Sequence, residues 1–244
     1  MTTVVLTRPQ ADSERLSQAL QSEGFQTWVM PIMTIEAIPA AEQALMPSLS
    51  DDARCIFISA NAVRFGLPQL GPVLARCPDL RVIAVGKKTR DTLAAEGIQA
   101  QVPARPYSEG LLAMSALSAD DLRDVVIVKG EGGRELLASE LTRRGARVTE
   151  WPCYRRCWPE ADVSEVAAIS AGLIFQASSG EMLSRLAELL AGEGQPDLFQ
   201  SPIIVPSDRV ARLATEIGWG QVVRAEDASD DAFMRALKQH TARS

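Results

Sequence analysis

Val125-Val126-Ile127-Val128-Lys129-Gly130-Glu131-Gly132-Gly133-Arg134-Glu135 is a β-branched run that ends in glycines, with a leucine-faced segment over Arg134–Arg143 behind it. The β-branched residues predict a buried strand, and the leucine spacing predicts a helix after the turn. The same unit stands earlier in the chain. Shifted by 121 positions, Val4-Val5 falls on Val125-Val126, Glu14 on Glu135, Leu16 on Leu137, Leu20 on Leu141, Gly24 on Gly145 and Pro31 on Pro152. At a shift of 120 or 121, Leu93-Ala94 meets Leu213-Ala214, Glu96 meets Glu216, Ala104 meets Ala225 and Ser108 meets Ser229. Matches at structural punctuation as well as at filler residues indicate two copies of one α/β unit.

The other strong strand candidates are Val4–Thr7, Cys55–Ser59, Arg81–Val85, Leu173–Gln176 and Pro202–Val205. Helix-period segments follow at Arg15–Ser22, Thr89–Glu96, Met182–Leu190 and Val210–Ile217. Gly24, Gly97, Gly145 and Gly218 stand where helix C-caps belong, before weaker strands at Phe25–Met30, Ile98–Val102, Ala146–Trp151 and Gln221–Arg224. Alternating strands and helices predict parallel sheets covered on both faces. Two extended segments, Gln26–Ile38 and Arg147–Pro159, occupy matching places in the copies. The simplest account makes them a connection between lobes. The expected fold is therefore α/β, with two flavodoxin-like parallel-sheet lobes joined by a two-stranded connection. The first lobe is discontinuous, residues 1–36 and 156–244, and the second spans 37–155. A plain division near residue 122 is the competing layout.

The net charge of −6 and an aromatic content of 5% argue against a nucleic-acid surface. No apolar run approaches the roughly 20 residues of a membrane span. The N-terminus runs directly into a strand without a signal-peptide profile, so a cytoplasmic protein is expected. The four cysteines lack the paired spacing of a zinc site, and the single histidine, His240, lies near the C-terminus. No metal site and no histidine-based triad are expected.

In open parallel sheets, ligands bind beyond the carboxyl ends of the strands. The residues predicted there are Arg8, Ser59, Asn61, Ala62, Gly86, Lys87, Thr89, Ser108, Glu109, Lys129, Gly130, Gly132, Arg134, Ser178, Ser179, Gly180 and Ser207. Small and hydroxyl-bearing residues in these places are ordinary N-caps. With Ser229-Asp230 added, eight such helix N-termini facing one cleft would also suit a ligand with many carboxylates or phosphates. Lys129-Gly130-Glu131-Gly132-Gly133-Arg134 is neither a Walker loop nor a dinucleotide fingerprint. It is either a plain turn or a place where backbone approaches a ligand. Tyr154 is one of two tyrosines and is followed by Arg155 and Arg156. A phenol is a proton donor at neutral pH, and the same ring could equally serve as hinge packing.

The run from Val128 to Leu137, followed by Arg144-Gly145-Ala146 and Tyr154-Arg155-Arg156, resembles the uroporphyrinogen-III synthases. Supporting motifs are Leu6-Thr7-Arg8-Pro9, Phe57-Ile58-Ser59-Ala60-Asn61-Ala62-Val63, Ala84-Val85-Gly86 with Thr89, Ser108-Glu109-Gly110-Leu111 and Ser178-Ser179-Gly180. The resemblance extends from about residue 4 to 237 and is distributed rather than concentrated in one motif. Ser59-Ala60-Asn61 departs from it, since members often carry proline or serine in the middle position. The resemblance implies a bilobal, cofactor-independent lyase. It would cyclise a linear tetrapyrrole polycarboxylate, hydroxymethylbilane, as a monomer, with Tyr154 assisting departure of the terminal hydroxyl. Two other readings stay open. One is a non-enzymatic bilobal sensor of a small anion. The other is a phosphotransfer enzyme using Asp208 or Asp230-Asp231 to hold magnesium.

Overall fold

The computed structural model describes residues 2–39, 42, 49–50, 52–77, 79–105, 107–118, 122–133, 135–169 and 172–242. In chain order the elements are β1 (Thr2–Leu6), α1 (Gln10–Ser22), β2 (Gln26–Val29), β3 (Thr34–Ala37), β4 (Arg54–Phe57), α2 (Ala60–Leu74), β5 (Arg81–Ala84) and α3 (Lys87–Ala95). There follow α4 (Tyr107–Leu112), β6 (Asp124–Gly130), α5 (Leu136–Arg143), β7 (Arg147–Cys157), α6 (Ser164–Ala167), β8 (Gly172–Gln176), α7 (Gly180–Gly192), β9 (Pro202–Val205), α8 (Asp208–Ile217), β10 (Gln221–Arg224) and α9 (Asp230–Thr241).

Two compact units form. Residues 1–34 and 157–244 make the first, and 35–156 the second. The first unit holds a five-stranded sheet in the order β10-β9-β8-β1-β2, and its strand pairs are parallel. Numbered from β1 within the unit, this is the flavodoxin-like order 2-1-3-4-5. The second unit holds β3-β7-β6-β4-β5, with parallel pairing of β4 to β5, β4 to β6 and β6 to β7.

Each sheet takes strands from both sequence copies. β1 and β2 of the first copy lie beside β8, β9 and β10 of the second, while β6 and β7 of the second lie beside β4 and β5 of the first. A cut near residue 122 would separate β4 from β6, which pair from Arg54 opposite Val125 to Phe57 opposite Val128.

Period-two alternation along the strands explains the double covering. In the first unit Val5, Phe175, Ile203 and Val205 pack with Leu183, Leu186, Leu190 and Val210 of α7 and α8. Their neighbours Val4, Leu6, Ile174 and Ile204 pack with Leu16, Leu20, Phe233 and Leu237 of α1 and α9. In the second unit Cys55, Phe57, Val126 and Val128 pack with Val63, Leu70 and Leu93. Ile56, Ile83, Val125 and Ile127 pack with Leu111, Leu137 and Leu141. Full burial of each such side chain contributes about 1.5–3 kcal/mol, against about 1 kcal/mol for a typical helix cap.

Two details differ from the sequence-based expectation. Ile98–Val102 is not a strand. Only Gln101 bridges to Ile83, holding beside β5 the place that β10 holds beside β9. Pro103 follows two residues later and cannot donate to a ladder. Residues 26–38 are not one extended segment but two strands, one in each sheet, interrupted at 30–33 around Pro31. The helix expected to open at Ser59 is present and runs over residues 60–74, through Pro68 and Pro72. Burial of Ala62, Val63, Gly66 and Leu70 outweighs the missing backbone donors.

Candidate active site

The carboxyl edge of the second sheet carries the densest cluster of predicted site residues. β4 ends at Phe57, and Ser59 in extended conformation caps α2, its Oγ accepting from the Ala62 backbone N–H at 2.9 Å. On the neighbouring strands, Gly130 at the end of β6 stands level with Tyr154 of β7, across a shift in register. This irregularity and Gly130 together admit the tyrosine ring. A Cβ built on Gly130 would lie 2.5 Å from the Tyr154 ring carbon Cε2, so no side chain fits there. Phe65 of α2 flanks the ring with centroids 5.8 Å apart.

Tyr154 is 7% exposed and sits in the same cluster as Phe57, Val63 and Trp151. Its Oη lies 3.0 Å from Ser59 Oγ, and either oxygen can donate. The phenol oxygen thus meets, through one hydroxyl, the N-terminus of a 15-residue helix. Such an end carries partial positive charge and unpaired N–H groups.

Next to this cluster Lys129 is buried and ion-paired with Glu150. Gly132 and Gly133 take left-handed conformations at φ +68° and +93°, and the helix beyond spans Leu136–Arg143. Arg134 lies outside the described residues. Asn61 and Ala62 occupy the first turn of α2, with Ala62 fully buried. Gly86 precedes α3 without a side-chain cap, Lys87 begins that helix, and Thr89 is buried in its first turn. Ser108 and Glu109 lie in α4, where Glu109 lines a cavity of about 490 Å³ with Val102, Pro103, Arg105 and Met114. The cysteines of this unit's core are inert. Burial pushes the thiols of Cys55 and Cys153 up to about 12.

The carboxyl edge of the first sheet is built differently. Arg8, 9% exposed in its side chain, is ion-paired with Asp230 and donates Nη2 to the Ala228 carbonyl at 2.9 Å. With its amide oxygen facing Arg8, Gln176 also accepts from Nε at 2.6 Å. Thr7 Oγ1 donates to the Gln176 carbonyl at 2.6 Å. Ser179 caps α7, accepting from Met182 N at 3.2 Å, and Ser207 caps α8, accepting from Val210 N at 3.4 Å. Ser178 lies in the turn before α7, and Gly180 is that helix's first residue.

The structure therefore brings Ser59, Gly130 and Tyr154 together, and joins Arg8 to a knot of protein acceptors. Phe65, Glu150 and Gln176 were not singled out by sequence. Gln176 had a signal, since it is the polar end of the apolar run Leu173-Ile174-Phe175 and is 1% exposed. Phe65 and Glu150 had none, because nothing local distinguishes them from core and surface.

A family model described as uroporphyrinogen-III synthase HemD matches residues 14–235. The uroporphyrinogen-III synthase of Salmonella typhimurium is 32% identical over 245 residues, covering 96% of this chain and 99% of that protein. The Escherichia coli enzyme is 32% identical over 250 residues with the same coverage. Among solved structures, the uroporphyrinogen-III synthetase of Helicobacter pylori superposes over the whole of both chains at a TM-score of 0.61 and 16% identity. A mutant Thermus thermophilus synthase gives 0.56 at 16% identity, covering 98% of this chain and all of that one. At such identities the structural likeness speaks for the fold.

Proposed function

The chain belongs to the uroporphyrinogen-III synthase family. From that premise we propose that it cyclises linear hydroxymethylbilane to uroporphyrinogen III, with loss of water and inversion of ring D, as a cofactor-independent lyase of tetrapyrrole biosynthesis. The observation that carries the reading to particular atoms is the Tyr154 phenol, held 3.0 Å from Ser59 Oγ at the carboxyl edge of a parallel sheet.

Pyrrole nitrogens push electrons toward the terminal hydroxymethyl carbon, so the C–O bond breaks readily once its oxygen receives a proton. Tyr154 is the donor in this scheme. The azafulvenium left behind is attacked by the substituted carbon of ring D. The spiro intermediate then opens and recloses with that ring reversed. Closure without the enzyme gives the uninverted isomer, so the protein's larger task is holding one curled conformation. The chain's net charge of −6 opposes a polyanion at long range. The helix N-termini following β4, β5, β8 and β9, at Ser59, Gly86, Ser179 and Ser207, supply the local N–H donors for its carboxylates. Asn61, Lys87, Thr89, Ser108, Glu109, Gly132 and Ser178 belong to the same proposed binding edges. Lys129 orders the edge through its pair with Glu150.

No helix among the described residues is long and apolar enough to cross a membrane. We propose a monomer working in the cytoplasm on a free small-molecule substrate, without nucleic acid. Nothing favours the sensor reading. The test is to mix the protein with freshly made hydroxymethylbilane and resolve the porphyrin isomers after oxidation. Isomer III is expected, and isomer I alone, as in buffer, would overturn the proposal. Analytical ultracentrifugation tests the monomer.

A further inference from the structure

We infer that Ser59 is a positioning residue for the Tyr154 phenol, orienting its proton toward the substrate and stabilising the phenolate it leaves. This rests on the reaction proposed above. Ser59 Oγ accepts from Ala62 N–H at 2.9 Å, which occupies one lone pair. The serine proton remains, and Tyr154 Oη lies 3.0 Å away. A phenol that donates to Ser59 has no proton directed at a substrate. A phenol that accepts from Ser59 has its own O–H free for the departing hydroxyl. Proton donation by Tyr154 therefore requires the chain Ala62 N–H to Ser59 Oγ–H to Tyr154 Oη.

Hydrogen bonds run in one direction polarise one another. Here the chain begins at the N-terminus of α2, where the helix contributes positive charge. As the C–O bond of the substrate breaks, the tyrosine proton and the bond's electron pair leave together as water. The negative charge left on Oη then faces the Ser59 O–H. The proton released when ring D finally closes restores the phenol, so the cycle balances. Gly130 and Phe65 hold the ring by contact alone and cannot orient a hydroxyl. Ser59 is the side-chain hydrogen-bond partner recorded for that oxygen. The serine would thus be a capping residue with a second task that capping does not demand.

The experiment is a double-substitution cycle read by initial rates of isomer III formation. Ser59→Gly is the informative variant, because glycine remains an acceptable N-cap while the hydroxyl is lost. It is expected to lower kcat by about tenfold with KM within about twofold, the size of a lost contribution to proton transfer. Ser59→Thr keeps both the cap and the hydroxyl, and should recover kcat to within about threefold of the parent by the same logic. In a Tyr154→Phe background, Ser59→Gly should cost nothing further in kcat, since its effect passes through the absent hydroxyl. Its effect on melting temperature should be alike in both backgrounds.

An equal kcat loss in both backgrounds would overturn the inference, making Ser59 a structural cap only. A raised KM at unchanged kcat would also overturn it, making Ser59 a carboxylate ligand. Either result leaves the synthase reading intact while the parent protein produces isomer III. Isomer I alone from the parent would instead remove the reading on which the inference rests.

Discussion

The two strand-carboxyl edges of this molecule are copies of one another with different side chains. At a shift of 121, Arg8 corresponds to Lys129, Pro9 to Gly130 and Met33 to Tyr154, and at 120 Ser59 corresponds to Ser179. In both units a serine caps the helix after an interior strand, β4 or β8, by accepting a backbone N–H. In the second unit that serine meets a phenol, admitted by a glycine. In the first, the residue at the corresponding sequence position is Met33, which packs against the core. There the cation is bound by Asp230, Ala228 and Gln176. The backbone thus provides a capped edge twice, and a few substitutions leave a phenol beside the serine at one and a cation closed off by protein acceptors at the other.

The sharpest way to break this comparison is to remove Arg8. Arg8→Ala leaves Gln176 without that donor and Asp230 with Arg15 alone, and should lower the unfolding free energy by about 1–3 kcal/mol in urea titration. Lys129→Ala should cost less, because Glu150 is more exposed than Asp230. Equal losses would mean that the two cations do the same work.

Tyr154→Phe comes next. It should slow isomer III formation by about ten- to a thousandfold if the phenol is the proton donor. Met33→Leu, its counterpart, should change the rate by less than about twofold, as a volume-conserving swap. Unchanged turnover in Tyr154→Phe would reduce the ring to packing, and the edges would then differ only in shape.

Gly130→Ala sharpens the comparison from the backbone side. Its Cβ would stand 2.5 Å from the tyrosine ring, so the ring must shift. Overpacking of this kind costs about 1–3 kcal/mol, and about a tenfold loss of kcat should accompany it. A fully active, equally stable variant would show that the ring's place is not what matters.

The smallest effect concerns surface charge in the second unit. Hydrogen bonds from Arg143, then Arg144, hold the Glu140 carboxyl at about 2, below its ordinary range. A depressed folded-state value means the stabilisation is present above the unfolded value and is lost as pH falls through the folded one. Glu140→Gln should flatten a shallow fall in melting temperature between about pH 5 and 2 by slightly lowering the value near neutrality while leaving that near pH 2 unchanged. An undiminished acid slope would move its origin elsewhere.

Much of this could be read locally. The strand starting at Val125, the helices facing leucines inward and the left-handed glycines at 24, 97, 145 and 218 depend on residues a few positions apart. The start of the helix over 60–74 was legible at Ser59, whereas the strand after α3 was overstated because apolar alternation alone does not supply a ladder partner. At the site, Tyr154 and Ser59 were each visible as candidates from the chain. Their meeting was not, and neither was the engagement of Arg8, which otherwise looked available to an anion.

Taken alone, the order of residues determined the α/β class, the duplicated unit and the places where helices begin, because backbone preference and hydrophobic period act over single turns and pleats. The tertiary structure decided which hydrogen-bonding groups are already satisfied. Ser59 reaches Tyr154 across 95 residues, and Arg8 reaches Asp230 across 222. Pairings at that separation follow from how whole strands line up, and no short-range rule carries them.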